Sequence, residues 1–459
     1  MDLGTFFDCK SIAIIGVSKN PNKIGHVIFR NLVDAKWKGH IYPVNPNAEI
    51  VLNYTCFKSV LEIKPKVDVA VVSVPADFTP QVVEECGKKG IKHLIFITSG
   101  FQEVGNFALQ EKILKILNKY KILIVGPNCL GVFDAYTKLD TLFLPRYRLS
   151  RPSPGGISFV CQSGAVGSAI LDLASTQHYG FSKFISYGNA LNVDEADYIE
   201  YLGNDPTTKV ICAYLEGVKD GKKFIKVCKE VSKKKPIIAI KGGVSAAGAK
   251  AAMSHTGALA GAAEIYDGVF KQCNIIKAES LEDMFNYAKA LEKCLLPKGK
   301  RVAIITNGGG FGILSTDAVS KEGLEMAQFS PETEKIIAAV LPPIVKVHNP
   351  LDLAGDASTD RYRIAIETVM ADKNVDMLLV IALYQTPLLT TDIVDVLVEI
   401  NDLKKKPMMV VSTGGEFTEV LKKALEDNGV PSYTFPESAI ASLKQLAVYY
   451  EKNHKKKSK

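Results

Sequence analysis

Ser11-Ile-Ala-Ile-Ile15, running straight into Gly16-Val-Ser18, is the stretch that decides the fold. Five residues without a charge form a short buried strand, a glycine-bearing turn ends it, and helical periodicity resumes from about Lys23 through Ala35. The same alternation continues down the chain. Further strands are expected at 40–44, 67–74, 93–97 and 122–125, with amphipathic helices over 80–89 and 106–120. Strands alternating with helices imply a parallel sheet covered on both faces, the doubly wound α/β arrangement. Ligands in such sheets bind beyond the carboxyl ends of the strands. Those ends are Gly16–Ser18, Asn45-Pro46, Val74-Pro75, Thr98-Ser99-Gly100-Phe101 and Gly126-Pro-Asn-Cys129, all small, polar or proline-bearing.

From Thr137 to Gly156 the pattern breaks, with three prolines and a Gly-Gly pair, which sets a first boundary. A second α/β unit has expected strands at 157–161, 183–186, 210–215 and 236–241, and a second boundary follows at Leu296-Pro-Lys-Gly-Lys300. A third unit opens with Arg301-Val-Ala-Ile-Ile-Thr306 and has later strands at 377–383, 407–411 and 431–434. The expected domains are 1–145, 146–296 and 297–459: a Rossmann-like domain, then two flavodoxin-like, doubly wound ones. After the third unit only 430–459 remains, too little for a further nucleotide-binding domain.

A length of 459 residues, 47% of them hydrophobic, suits about three globular cores. The longest apolar runs, such as 377–383, are too short to span a bilayer, and the first residues show no basic region leading into an apolar core. No membrane association is expected, and a cytoplasmic location is. Nine cysteines without a CxxC pair fit reduced, packed thiols, and no metal site is expected. The formal charge of +7 comes largely from lysine clusters at 233–235, 404–406 and 455–459. They read as solvated surface that also concentrates anionic ligands. Without interleaved aromatics or a nucleic-acid motif they do not point to DNA or RNA.

Candidate chemistry centres on Ser254-His255-Thr256-Gly257, where one histidine lies among small residues that leave its ring accessible. Glu216, at the end of a strand in the same unit, can fix one imidazole nitrogen and leave the other as a nucleophile. Gly16-Val-Ser18-x-x-Pro21-x-Lys23-x-Gly25 follows a strand and opens a helix, the setting for anion binding by backbone N–H groups and the helix dipole. It is not a GxGxxG, and Asn45-Pro46 stands where an NAD site would have an acidic residue, so NAD is disfavoured. Two more strand–turn–helix junctions, Cys161-Gln-Ser163-Gly164 and Asn307-Gly308-Gly309-Gly310-Phe-Gly312, can each aim unpaired N–H donors at a phosphate.

Together with Gly126-Pro-Asn-Cys-Leu-Gly131, Gly188-Asn189, Val193-Asp194-Glu195, Tyr214-Leu-Glu-Gly217 and Asn349-Pro-Leu-Asp352, these motifs resemble the α subunit of the ADP-forming acetyl-CoA synthetases, in the superfamily of succinyl-CoA synthetase. The resemblance runs over nearly the whole chain. It implies the reversible reaction acyl-CoA + ADP + phosphate to carboxylic acid + ATP + CoA, through an acyl phosphate and a phosphohistidine on a mobile loop. It makes His255 the phosphorylated residue, Glu216 its support and Asn128 a neighbour of the acyl phosphate. Coenzyme A falls to Gly16, Ser18, Lys23, Asn45, Val74, Pro75, Thr98, Ser99 and Gly100. Ser163-Gly164 and Gly308–Gly310 would hold the phosphohistidine. With no P-loop, Mg-ADP or Mg-ATP is expected on a separate ATP-grasp β subunit, in an α2β2 assembly. The alternatives are a non-catalytic CoA-binding regulator or scaffold, to which His255 and Glu216 would be superfluous, and a succinate–CoA ligase subunit, in which the third unit belongs to the other chain.

Overall fold

Three large sheets, each with its own covering helices, and one two-stranded hairpin are built from the strands in a computed structural model that describes residues 1–245, 248, 263–343 and 347–454. By packing, the chain divides into two units, Met1–Ala278 and Glu279–Lys459.

The first unit opens with β1 (Ser11–Ile15), every residue of which is buried, as a strand covered on both faces requires. With β2 (His40–Val44), β5 (Val69–Val72), β6 (His93–Phe96) and β7 (Leu123–Val125) it makes a parallel sheet in the order β2-β1-β5-β6-β7. A hairpin of β3 (Ile50–Val51) and β4 (Tyr54–Thr55) lies off this sheet. The expected strand over 67–74 contracts to its apolar centre, because Val74 and Pro75 already belong to the rim. Gly16 has φ +95, and a β-carbon there would come within 2.5 Å of the Ser73 carbonyl oxygen. A β-carbon at Gly25, in the helix Ile24–Asp34, would meet the Gly16 carbonyl at 2.2 Å. Gly16 demands glycine for its positive φ and its closeness to the Ser73 backbone, and Gly25 because the helix start is pressed onto the turn below it.

The second sheet has the order β14-β13-β12-β10-β11-β8-β9. Its parallel part is β10 (Pro154–Cys161), β11 (Phe181–Ser186), β12 (Val210–Leu215), β13 (Ile237–Lys241) and β14 (Ile276–Lys277). Beyond β11 come β8 (Gly131–Asp134) and β9 (Leu139–Asp140), both antiparallel to their neighbours. These two short strands precede residue 145 in sequence, yet their backbone is bonded into the second sheet. Lys183, buried on β11, reinforces the join with Nζ 3.4 Å from Asp134 and 2.9 Å from Asp205.

In the second unit β15 (Arg301–Thr306), β16 (Glu325–Met326), β18 (Met377–Ile381), β19 (Met408–Val411) and β20 (Ser432–Tyr433) form a parallel sheet in the order β16-β15-β18-β19-β20, with β17 (Leu351–Asp352) also pairing to β15. Two helices close one face: Leu281–Lys293 and Pro436–His454, which pack on each other and share a core with Ile304 and Leu379. The second of these fills most of the stretch left unassigned from the sequence. Among the described residues no helix is long and apolar enough to cross a membrane.

One buried ion pair anchors the segment between β9 and β10. Asp140 is fully buried and accepts from Arg151 Nε at 2.9 Å and from its second nitrogen at 3.2 Å, while the half-exposed Arg146 adds a bond of 2.8 Å. Arg151 also donates to the Leu144 carbonyl at 2.9 Å. Removing a partner from such a pair leaves a charge stranded in a low-dielectric site, at about 3 kcal/mol. Arg151→Met should therefore lower the unfolding free energy of the first unit, measured by urea denaturation, by an amount of that order, whereas Arg146→Met should lower it far less; equal losses would refute the assignment.

Candidate functional site

Two cavities open at the carboxyl ends of the first unit's strands. One, of about 860 Å³, lies over the first sheet. Gly16, Ser18 and Lys23 line it from the β1 turn, Asn45 from the end of β2, Val74 and Pro75 from β5, and Thr98 and Ser99 from β6. Gly100 lies just beyond this wall, with its N–H bonded to Glu103 Oε1 at 2.5 Å. Several of these residues brace the rim itself. The Asn45 side-chain amide donates to the Val17 carbonyl, and Thr98 Oγ1 donates to the Val74 carbonyl at 2.8 Å. Cationic groups come from Lys23, directly before the helix Ile24–Asp34, and from Lys58. The first N–H groups of that helix have no intrahelical acceptor, so helix start and lysines together suit a phosphate-bearing ligand.

The second cavity, of about 790 Å³, shares Ile24, Ile97 and Ser99 with the first, so the two adjoin. Asn128, Ser163, Gly164 and Glu216 line it. Ser163 caps the helix Gly164–Thr176, with its hydroxyl accepting from Val166 N at 3.3 Å. Glu216 is buried directly after β12, and Gln162, directly after β10, accepts from the backbone N–H groups of Glu216 at 2.9 Å and Gly217 at 3.2 Å. His255 lies outside the described residues.

Four further residues of this cavity, Glu103, Asn189, Glu195 and Lys219, were given no role from the sequence. They are tied into one network. Asn189 Nδ2 donates to Glu103 Oε2 at 2.6 Å, and Asn128 Nδ2 donates to Asn189 Oδ1 at 3.4 Å. Lys219 Nζ donates to the carbonyls of Asn189, at 2.8 Å, and Ala190. Burial pushes the Glu103 carboxyl up, but the N–H groups of Gly100 and Phe101 and the Asn189 amide outweigh it and leave it below the usual range. Burial likewise depresses Lys219 more than its acidic neighbours Glu195 and Asp194 raise it. Glu195 goes the other way. Burial, with Asp194 adding to it, pushes its carboxyl up to about 7, against its own backbone N–H and the Lys219 N–H and charge. The rule that ligands sit beyond strand ends would have found Gln162, Asn189 and Lys219, which all closely follow a strand.

In the second unit, Gly308 precedes and Gly309 and Gly310 begin the helix Gly309–Lys321. A β-carbon on Gly308 would meet Leu383 Cδ1 at 2.6 Å, and one on Gly309 would meet Asp352 Oδ2 at 2.8 Å. A carboxylate thus stands beside this helix start.

A Rossmann-like sheet with a basic rim, joined to a flavodoxin-like sheet by adjoining cavities, suits a ligase that handles a phosphate-bearing thioester. Comparison with known proteins agrees. Residues 10–135 match a CoA binding domain, 154–291 a succinyl-CoA ligase like flavodoxin domain, and 302–453 a ligase-CoA domain. The α subunit of acetate–CoA ligase [ADP-forming] I of Pyrococcus furiosus is 40% identical over 100% of both chains. Acetate–CoA ligase [ADP-forming] of Methanocaldococcus jannaschii is 41% identical, over 96% of this chain and 62% of that longer one. A solved structure of acetyl-coenzyme A synthetase 1 of Ca. Korarchaeum cryptofilum, in complex with phosphate and ADP, superposes with a TM-score of 0.92 at 36% identity, covering 98% of this chain and 97% of that one. The chain belongs to the family of ADP-forming acyl-CoA ligase α subunits.

The first cavity, within the residues that match a CoA binding domain, offers Lys23, Lys58 and a helix start to a phosphate-bearing ligand. Lys23→Ala should raise the dissociation constant of CoA for the full chain roughly tenfold in equilibrium dialysis, the scale of one charge-assisted contact, and the loss should shrink in high salt. Unchanged affinity would remove Lys23 from the phosphate-binding rim.

Proposed function

We propose that this chain catalyses the acyl-transfer half of the reversible conversion of acetyl-CoA, ADP and phosphate to acetate, ATP and CoA. The observation that carries the reading is the shared wall of Ile24, Ile97 and Ser99 between the two cavities. CoA held over the first sheet can pass its thioester across that wall to the side where Asn128, Ser163 and Gly164 line the second cavity. There phosphate attacks the thioester carbonyl and the C–S bond breaks, giving an acyl phosphate with Asn128 beside it. The phosphoryl group then moves to His255, whose ring Glu216 orients, and passes onward from there. Ser163-Gly164, at the start of the helix Gly164–Thr176, offer N–H donors to the phosphohistidine. Splitting the transfer in two lets substrates that never meet be coupled.

The naming of the Pyrococcus relative as a subunit α supports a second subunit here. We assign that partner to the ATP-grasp class, holding Mg-ADP or Mg-ATP, in an α2β2 enzyme of the cytoplasm.

The test combines the chain with such a subunit, acetyl-CoA, ADP and radiolabelled phosphate. Acid-labile, base-stable label should appear on the wild type and vanish in His255→Ala; label persisting in that variant would end the proposed role of His255. Glu216→Gln should reduce the formation rate or lifetime of the label at least tenfold, the scale of a lost charge-assisted bond to an imidazolium, and an unchanged time course would exclude Glu216 as its support.

A further inference from the structure

We propose that Glu195 is the catalytic base and acid of the thioester step, taking the proton of the CoA thiol when acyl-CoA is made and returning it to the sulfur when acyl-CoA is cleaved. The inference rests on the ligase reading above and adds to it a residue and a proton path.

The argument starts from charge. The cavity that must receive a phosphate carries three carboxylates, Glu103, Glu195 and Glu216, against one lysine, Lys219. Two of these four groups are committed to structure. Glu103 is held by the N–H groups of Gly100 and Phe101 and by Asn189, and Lys219 caps the carbonyls of Asn189 and Ala190. Glu216 belongs to the histidine. Glu195 differs from them: it is 2% exposed, heads the helix Glu195–Asn204 and accepts the Lys219 N–H through Oε1 at 3.1 Å. Charged or titratable groups reach it from every side. Asp194 and Tyr198 flank it on its own helix, Lys219 comes from the loop after β12, and Tyr187 from the loop after β11. Cys228 and Tyr266 approach on the helices Gly221–Val231 and Ala263–Gln272. Burial lifts its carboxyl to about 7, where both protonation states are populated and a general acid–base is most effective.

The step balances. In the synthetic direction the thiol S–H proton moves to the Glu195 carboxylate as sulfur attacks the acyl carbon. The C–S bond forms, the C–O bond to phosphate breaks, and Glu195 returns the proton to the departing phosphate oxygen, giving free thioester and hydrogen phosphate. The reverse path cleaves acyl-CoA. No electron transfer and no further co-reactant is involved.

The experiment uses the full chain with its partner subunit, acetyl phosphate and CoA, without nucleotide, following thioester formation by absorbance. The reacting thiol ionises well above neutrality, so a limb near pH 7 reports the enzyme. The wild-type rate should rise with pH through about 7, because Glu195 must be ionised to accept the proton. Glu195→Gln, nearly isosteric, should lose at least a hundredfold in rate together with that limb. Glu195→Asp should keep the limb at a reduced rate. Labelling of the chain from radiolabelled ATP serves as the reference for folding, since it depends on His255 and not on the thioester. Retention of the pH limb in Glu195→Gln, or an equal fall in labelling and in thioester formation, would overturn the proposal. If the wild type itself makes no thioester from acetyl phosphate and CoA, it is the ligase reading that fails, whatever Glu195 does.

Discussion

Gly188 has no room for a β-carbon: one placed there would sit 2.1 Å from the Asn128 carbonyl oxygen and 2.3 Å from that of Pro127. The pair of adjoining cavities depends on this close approach. It joins the loop after β7, at the end of the first sheet, to the loop after β11 in the second. The Asn189 N–H donates to the Pro127 carbonyl at 2.9 Å, and the Leu191 N–H to the Gly126 carbonyl at 3.0 Å. Asn128 and Ala190 both take positive φ, conformations that cost energy and persist where neighbours over-determine them. Here the neighbours are the loops themselves, with Lys219 and Glu103 as outer clamps. The two sheets thus present their strand ends to one another at a fixed distance, and the adjoining cavities are the space that remains.

That arrangement divides the electrostatic labour. The first cavity is rimmed by Lys23 and Lys58 and by a helix start, and gathers negative charge. The second is lined by carboxylates, which would repel a phosphate if all were ionised and idle. Glu103 and Glu195 are not idle, because each accepts from backbone N–H groups. Cationic groups stand on one side of the shared wall and carboxyl groups on the other.

Much of this was legible in the sequence. The buried run of β1, the glycine turn after it and the regular return of apolar strands fix a parallel sheet, because only a strand covered on both faces is apolar throughout. Rim residues followed from the strand ends, and eight of the nine assigned to coenzyme A line one cavity. The roles of Lys219 and Glu195 escaped because only tertiary packing buries Glu195 and brings the Lys219 ammonium to the Asn189 and Ala190 carbonyls, about thirty residues away in sequence. Two-residue strands such as β9 also escaped, being too short to show a period of two, and the helix Pro436–His454 was hidden by following the last expected strand.

The pair β8 and β9 has a consequence for how such a chain can be divided. A cut at the proline-rich segment after residue 140 looks harmless, since few regular elements cross it. It would nevertheless strip the second sheet of its last two strands and leave β11, buried along its full length, as a bare edge able to pair with any other extended chain. It would also strand Lys183 without Asp134. The CoA-binding and flavodoxin-like parts are therefore interlocked through a borrowed hairpin. A gene that separated them at that segment would produce one half with an aggregating edge, so the two are expected to be inherited together.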